Sequence, residues 1–183
     1  HILKTDIPNA YNGKYTGQNS GPKYAEDAVN EIKNSNNNIA AFICEPIVGC
    51  GGQIPLAEGY IAPVYDAIRA QNGVCISDEV QTGFGRLGDV FWGYEQHKVV
   101  PDIIVIGKPM GNGHPMGAVI TTSEISASFE QGVEFFSSFG GNPVSCAIGK
   151  AVLDVIEEEK LQSNAQKTGE YYKSLFTELQ KNY

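Results

Sequence analysis

The sequence is short of positive charge: 13 Lys and Arg stand against 21 Asp and Glu, a formal net charge of −8. A nucleic-acid backbone recruits patches of Lys and Arg, so this balance argues against such a partner. No apolar run approaches the roughly 18 residues that cross a bilayer, so no membrane association is expected. The first residues, HILKTDIPNAYNGKY, hold no basic stretch followed by an apolar one and do not read as a secretory signal. They also hold no initiating Met, and the chain is expected to be a piece of a longer protein. No two of the four cysteines (Cys44, Cys50, Cys75, Cys146) form a CxxC pair. Three sit in or beside apolar segments, as reduced structural cysteines do, with Cys75 and Cys146 expected in the core; a cytoplasmic setting follows. The histidines His1, His97 and His114 are not spaced as metal ligands, so no metal is expected. The phosphate-binding signature GxxxxGK[ST] is absent as well.

What is present is an ordinary globular composition, 42% apolar and 19% charged over 183 residues, enough for one domain with a core. Residues 1–22 read as irregular. In KYAEDAVNEIKN (23–34) Tyr24, Ala28 and Ile32 fall four apart, the mark of an amphipathic helix, and NSNNN (34–38) stops it. IAAFIC (39–44), VCIS (74–77), DIIVI (102–106) and GAVITT (117–122) are short apolar runs that read as strands. Helices are expected at 60–73, 123–130, 144–160 and 161–180, a glycine-rich loop at 45–59, and a loop-rich, packed excursion at 80–101 around Phe84, Phe91, Trp92 and Tyr94. Continuous apolar strands alternating with helices predict an α/β fold, a three-layer α/β/α arrangement around a mostly parallel sheet.

In open parallel sheets ligands bind outside the carboxyl ends of the strands. There this sequence delivers Glu45, then Asp78-Glu79, then Lys108. A carboxylate directly after a buried strand must find a cation or proton donor. Asp78 reads as a helix cap or loop ion pair, as the Mg²⁺ carboxylate of an ATPase (which the missing phosphate loop disfavours), or as the partner of a protonated ring nitrogen. Lys108, in GKPMGNGHPMGA (107–118), reads either as a solvated loop lysine or as an amine desolvated at the mouth of a strand and made nucleophilic. An amine and a carboxylate on neighbouring strand ends fit the Schiff-base lysine and pyridinium partner of a pyridoxal phosphate site. Val80 would press on the ring face and Gln81 reach a ring substituent. SSFGGNP (137–143) offers hydroxyls, glycine N–H groups and a helix start, either as a phosphate cradle or as a plain turn.

Three segments carry a specific resemblance: DEVQTGFGRLG (78–88), PDIIVIGKPMGNGHPMGAV (101–119) and FGGNPVSCA (139–147). They resemble the class III (ω-type) aminotransferases of the fold-type I pyridoxal phosphate enzymes. The resemblance implies a transaminase whose Lys108 holds the cofactor as a Schiff base, with Asp78 on the pyridine nitrogen, Val80 on the ring and Gln81 on the ring hydroxyl. It also implies Glu45 among the cofactor-site residues. Ser138 stands where the family usually has a threonine that reaches the phosphate of the neighbouring subunit, so a homodimer with shared active sites is implied. Residues 1–183 would form a single fragment of the large domain, without the family's N-terminal segment and C-terminal small domain.

One departure is Cys50, where many members carry the second carboxylate of Glu-Pro-x-x-x-Glu. GCGGQI, GKPMGNGHP and GGNPVSCAIGKAVLDVIEEE look closest to the branch with ethanolamine-phosphate and phosphohydroxylysine phospho-lyases. Three functions therefore stand at this point: amine transfer to a keto acid, phosphate elimination from an amino-alcohol phosphate, and a non-catalytic binding or assembly module. A metal hydrolase built on Asp78, Glu79 and His114 lacks a second histidine.

Overall fold

The computed structural model describes residues 2–35, 38–132 and 134–182; Asn36 and Asn37 of the expected polar stop lie outside them. Among the described residues six strands form: β1 (Ala41–Cys44), β2 (Ile47–Val48), β3 (Ile54–Pro55), β4 (Val74–Asp78), β5 (Ile103–Ile106) and β6 (Ala118–Thr121). The main sheet has the order β1-β4-β5-β6, and β2 and β3 make a separate antiparallel pair inside the expected loop 45–59. β1, β4 and β5 run parallel, with Ala41 opposite Val74 and Ile76 opposite Ile103. β6 runs against them, Ile106 pairing with Ala118. The connection from β5 to β6 holds only one 3₁₀ turn, Lys108–Met110. It cannot carry the chain across a sheet face, as a parallel return requires. The fold is α/β with a mostly parallel sheet, as expected.

Two helices cover one face. α1 (Ser20–Asn34) starts three residues before the segment the sequence suggested, and α2 (Ile61–Arg69) ends four residues before it, ahead of Asn72 with its positive φ of 61°. Tyr24, Ala28 and Ile32 of α1 meet Ile61, Val64, Tyr65 and Ile68 of α2, all buried, over Cys75 of β4. The Tyr65 ring stands edge-on to Phe42 of β1, centroids 6.2 Å apart. Each large side chain buried this way stabilises the fold by about 1.5–3 kcal/mol. The opposite face carries Ile43 and Val119, which stay exposed.

At the edge where β4 and β5 begin, Asp102 accepts hydrogen bonds from the Arg69 guanidinium (3.0 and 3.2 Å) and from the Cys75 amide (2.7 Å). Thr121 Oγ1 donates to the Asp102 carbonyl at 2.9 Å. One residue thus pins α2, β4 and β6 together, far from the carboxyl ends of β4 and β5.

α3 (Ser123–Glu130) is capped by the Thr122 hydroxyl, and α4 (Pro143–Glu158) by Asn142, whose Oδ1 accepts from the Ser145 amide at 2.9 Å. α4 presses on the loop after β5 through Gly149, where an added Cβ would lie 2.9 Å from Met116 Cε. Lys160 turns the chain in the left-handed region (φ 54°) into α5 (Leu161–Leu179). α5 lies against Gly88, whose added Cβ would be 2.7 Å from Gln166 Cα. Cys146 corrects an expectation: it is exposed, while Cys75 is buried. The inward stripe of α4 runs through Ser145, Ile148, Gly149, Val152 and Ile156, and Cys146 falls outside it. No helix among the described residues is long and apolar enough to cross a membrane.

Candidate active site

The carboxyl ends of β1, β4 and β5 bring most of the expected residues to one edge. The Glu79 amide donates to the Val105 carbonyl at 2.9 Å, carrying the β4–β5 ladder past Asp78. Asp78 Oδ1 accepts the Val80 amide at 3.1 Å, a tight local turn that aims the carboxylate along its own loop. The Val80 methyls lie 3.6–3.7 Å from where a Cβ on Gly107 would stand, next to Lys108.

Gln81 reaches toward β1. Its Nε2 donates to Cys50 Sγ at 3.4 Å, and a Cβ on Gly49 would collide with that same nitrogen. Gly49 in turn donates its amide to Glu45 Oε2 at 3.0 Å. Glu45, Cys50 and Gln81 therefore form one cluster, and glycine at 49 is what allows the approach.

Lys108 opens the 3₁₀ turn after β5 with a φ of 21°, at the edge of the left-handed region that side chains other than glycine avoid. The expectation of a desolvated amine is not met: Lys108 is exposed and makes no ion pair among the described residues. Its flanking glycines and prolines let other groups come near but have no side chains with which to cover it. Behind the lysine turn lies an apolar cavity of about 620 Å³ between Phe84, Pro109 and the α4 residues Ile148 and Val152. None of the expected site residues lines it; their surface is an open strand edge.

Ser138 is exposed, in a turn where Ser137 Oγ accepts the Gly140 amide at 2.9 Å, and no described hydrogen bond links it to the cluster around Asp78. His114 Nε2 lies 2.7 Å from Ser145 Oγ, tying the loop after Lys108 to the first turn of α4. Phe84, Phe91 and Trp92 pack on one another, centroids 4.9–5.7 Å apart, which gives them a structural role.

Sequence reasoning named Glu79 only beside Asp78 and in the disfavoured metal-hydrolase set. It is fully buried (0% exposed) and accepts four hydrogen bonds, from Ser77 Oγ (3.0 Å), Thr82 Oγ1 (2.6 Å) and the amides of Gly93 (2.8 Å) and Tyr94 (2.9 Å). The last two belong to a 3₁₀ turn, Gly93–His97, that the sequence did not announce. The signal was an acid immediately after a strand, shared with Asp78; which of the two turns inward is decided by the fold.

His97 closes that turn with Nε2 3.2 Å from the Pro46 carbonyl. Burial favours the neutral imidazole and lowers its pKa from the ordinary 6.5. As pH falls the unfolded chain takes up this proton first, so the stability His97 contributes is whole above about pH 6.5 and declines toward the lower, folded value. The urea midpoint should therefore fall between about pH 7 and about pH 5, and fall less in His97→Gln, whose amide can still reach Pro46. Equal slopes in the two proteins would remove His97 from the account.

The donor set suits a pyridoxal ring. Asp78 has Oδ2 without a partner among the described residues, an acceptor for a ring N–H. Val80 offers an apolar face, Gln81 keeps a second N–H beyond the one given to Cys50, and Lys108 brings an unpaired primary amine. No group of three His, Cys, Asp or Glu among the described residues could hold a metal ion.

Comparison with known proteins identifies the family. The family model for class III aminotransferases matches residues 2–183. Human alanine–glyoxylate aminotransferase 2, mitochondrial, is 50% identical over 146 residues, 80% of this chain and 28% of its own length. The mitochondrial homolog 2 of that enzyme from Arabidopsis thaliana is 46% identical over 177 residues, 96% of this chain and 36% of its own. The chain thus spans about a third of the length of these relatives. A phospholyase from Arthrobacter, solved with phosphoethanolamine, superposes with a TM-score of 0.87 at 35% identity, covering 98% of this chain and 43% of that one. The two mitochondrial relatives overturn the expected cytoplasmic setting and point to mitochondria: four cysteines without a CxxC pair report a reducing compartment, which does not separate the two. A match that runs from residue 2 to residue 183 settles the kinship: this chain belongs to the class III aminotransferase family.

Proposed function

We propose that the chain forms the lysine-bearing part of the large domain of an enzyme that moves an amino group between an amine or amino acid and a keto acid. The observation that carries this is the convergence of Asp78, Val80 and Gln81 on the strand edge that delivers Lys108. The family's cofactor, pyridoxal 5′-phosphate, supplies an electrophilic carbonyl and an electron-accepting ring when bound. Lys108 would attach it through Nζ and, once released, carry the proton from the substrate carbon that bears nitrogen. Asp78 would hold a proton on the ring nitrogen, Val80 would keep water off one ring face, and Gln81 would donate to the ring hydroxyl. Glu45 orders the Gly49–Cys50 turn against which Gln81 rests.

The exposed segment around Ser138, with Phe135, Phe136 and Phe139 all facing solvent, is read as the surface a second copy covers, Ser138 then serving the neighbour's site. A second reading, elimination of phosphate from an amino-alcohol phosphate, is supported by the likeness to the phosphoethanolamine-bound phospholyase and by Cys50 beside Gln81.

The test is made on the purified protein with pyridoxal phosphate: the visible spectrum, borohydride reduction, and mass mapping of the modified peptide. The label is expected on Lys108. A folded protein labelled elsewhere, or not at all, would sink the reading. Release of inorganic phosphate from ethanolamine phosphate, against amine transfer to a keto acid, then separates the two reactions.

A further inference from the structure

We propose that Glu79 is a positioning residue for the cofactor site, its carboxylate fixing the loop 78–82 against the 3₁₀ turn Gly93–His97 so that Asp78, Val80 and Gln81 are held at one edge beside Lys108. The proposal rests on the functional reading above and adds to it a residue that touches neither substrate nor cofactor.

A fully buried carboxylate is costly unless its oxygens are satisfied. Glu79 makes no ion pair among the described residues. Its partners are four neutral donors, and each oxygen takes one hydroxyl and one main-chain N–H: Oε1 from Ser77 and Tyr94, Oε2 from Thr82 and Gly93. Hydrogen bonds to a charged acceptor are the strong, directional kind. The donors come from three separate places: the last turn of β4's own strand, the far end of the site loop, and the first two amides of the 3₁₀ turn. Glu79 therefore closes the loop that starts at Asp78 and ends at Thr82 as a clasp closes a ring.

The clasp reaches further. Gly93 sits so close to both loops that an added Cβ would lie 2.9 Å from Thr82 Cβ and 3.0 Å from Pro46 Cβ. At its other end the same turn holds the Pro46 carbonyl through His97. Pro46 follows Glu45 and leads into the Gly49–Cys50 turn. One short element, seated on Glu79, thus spaces the loop carrying Glu45 and Cys50 from the loop carrying Asp78 and Gln81. The Gln81–Cys50 contact is where that spacing is read out. An apolar residue of the same volume would leave two main-chain N–H groups and two hydroxyls without their acceptor, at a cost in stability as well as in position.

The experiment uses Glu79→Gln in the holoenzyme. Whichever way the amide is turned, its NH₂ faces a main-chain N–H, of Gly93 or of Tyr94, so the clasp opens with no change of size. Three readouts are expected to move: cofactor affinity falls roughly tenfold, the titration midpoint of the cofactor's visible band shifts by about 0.5 pH unit or more, and amide exchange at Gly93 and Tyr94 speeds up in cofactor-free protein. Asp102→Asn, a carboxylate clamp at the other edge of the sheet, should lower stability and leave band and dissociation as they were. Thr82→Val removes one donor only and decides the matter by the same readouts should Glu79→Gln fail to fold. A Glu79→Gln enzyme that loses stability with band and dissociation unmoved, or an Asp102→Asn enzyme that moves them equally, overturns the proposal. A wild-type protein that forms no band at all overturns the functional reading, and this one with it.

Discussion

Replacing Lys108 with alanine should lower amine transfer by roughly four orders of magnitude, because under the proposed function one substitution removes both the covalent anchor and the proton carrier. The same change should leave stability within about 0.5 kcal/mol. Lys108 is exposed, makes no ion pair among the described residues, and sits at a φ of 21° that gives alanine no new clash. This contrast is the discriminating part of the result. A lysine that mattered through packing would lower the melting temperature along with the rate. Turnover and thermal unfolding measured side by side decide it: a fall in both, or in neither, counts against the strand-end amine. Lys108→Arg should fail as fully as alanine, since a guanidinium keeps the charge and stays protonated.

The second large effect is on stability. Gly88→Ala should cost about 3 kcal/mol, the sum of a left-handed backbone penalty and an overpacking penalty. Gly88 has φ 86°, and its missing Cβ would lie 2.7 Å from both Cα and N of Gln166, the backbone of α5, which has no flexible end to swing away. Gly17→Ala separates the two contributions. Gly17 also has a positive φ, 82°, but nothing stands within 4 Å of its added Cβ, so only the backbone penalty of about 1–2 kcal/mol applies. Urea unfolding of the two variants should differ accordingly. Equal losses would mean that α5 does not rest on the 85–88 loop as described.

The sheet was legible because its strands are short, apolar and bounded by turn residues. IAAFIC, DIIVI and GAVITT each became a strand trimmed by one or two residues, and VCIS became one that runs a residue further, to Asp78. The β2–β3 pair was not legible: two residues a side, separated by Gly49, Gly51 and Gly52, leave no period to count. Nor was the direction of β6, which depends on whether its connection can cross the sheet. The placement of Asp78, Val80, Gln81 and Lys108 at one edge could be read because their order along the strands fixes where they emerge. Lys108's setting was misjudged, since small neighbours were taken for cover when they only give room. Glu79 escaped because burial of one member of an acidic pair is a fact of three dimensions: its four partners lie up to 15 residues away along the chain.

The Arg69–Asp102–Thr121 junction has a consequence for altering what the protein accepts as substrate. It secures the sheet at the edge away from Glu45, Cys50 and Gln81, without sharing a partner with any of them. Changes at separate, unconnected sites combine close to additively. A library randomised at Cys50, with Gln81 kept, would therefore be screened on a scaffold whose Asp102 junction is untouched by the library, and lost turnover in a folded member would report a change at the site instead of collapse.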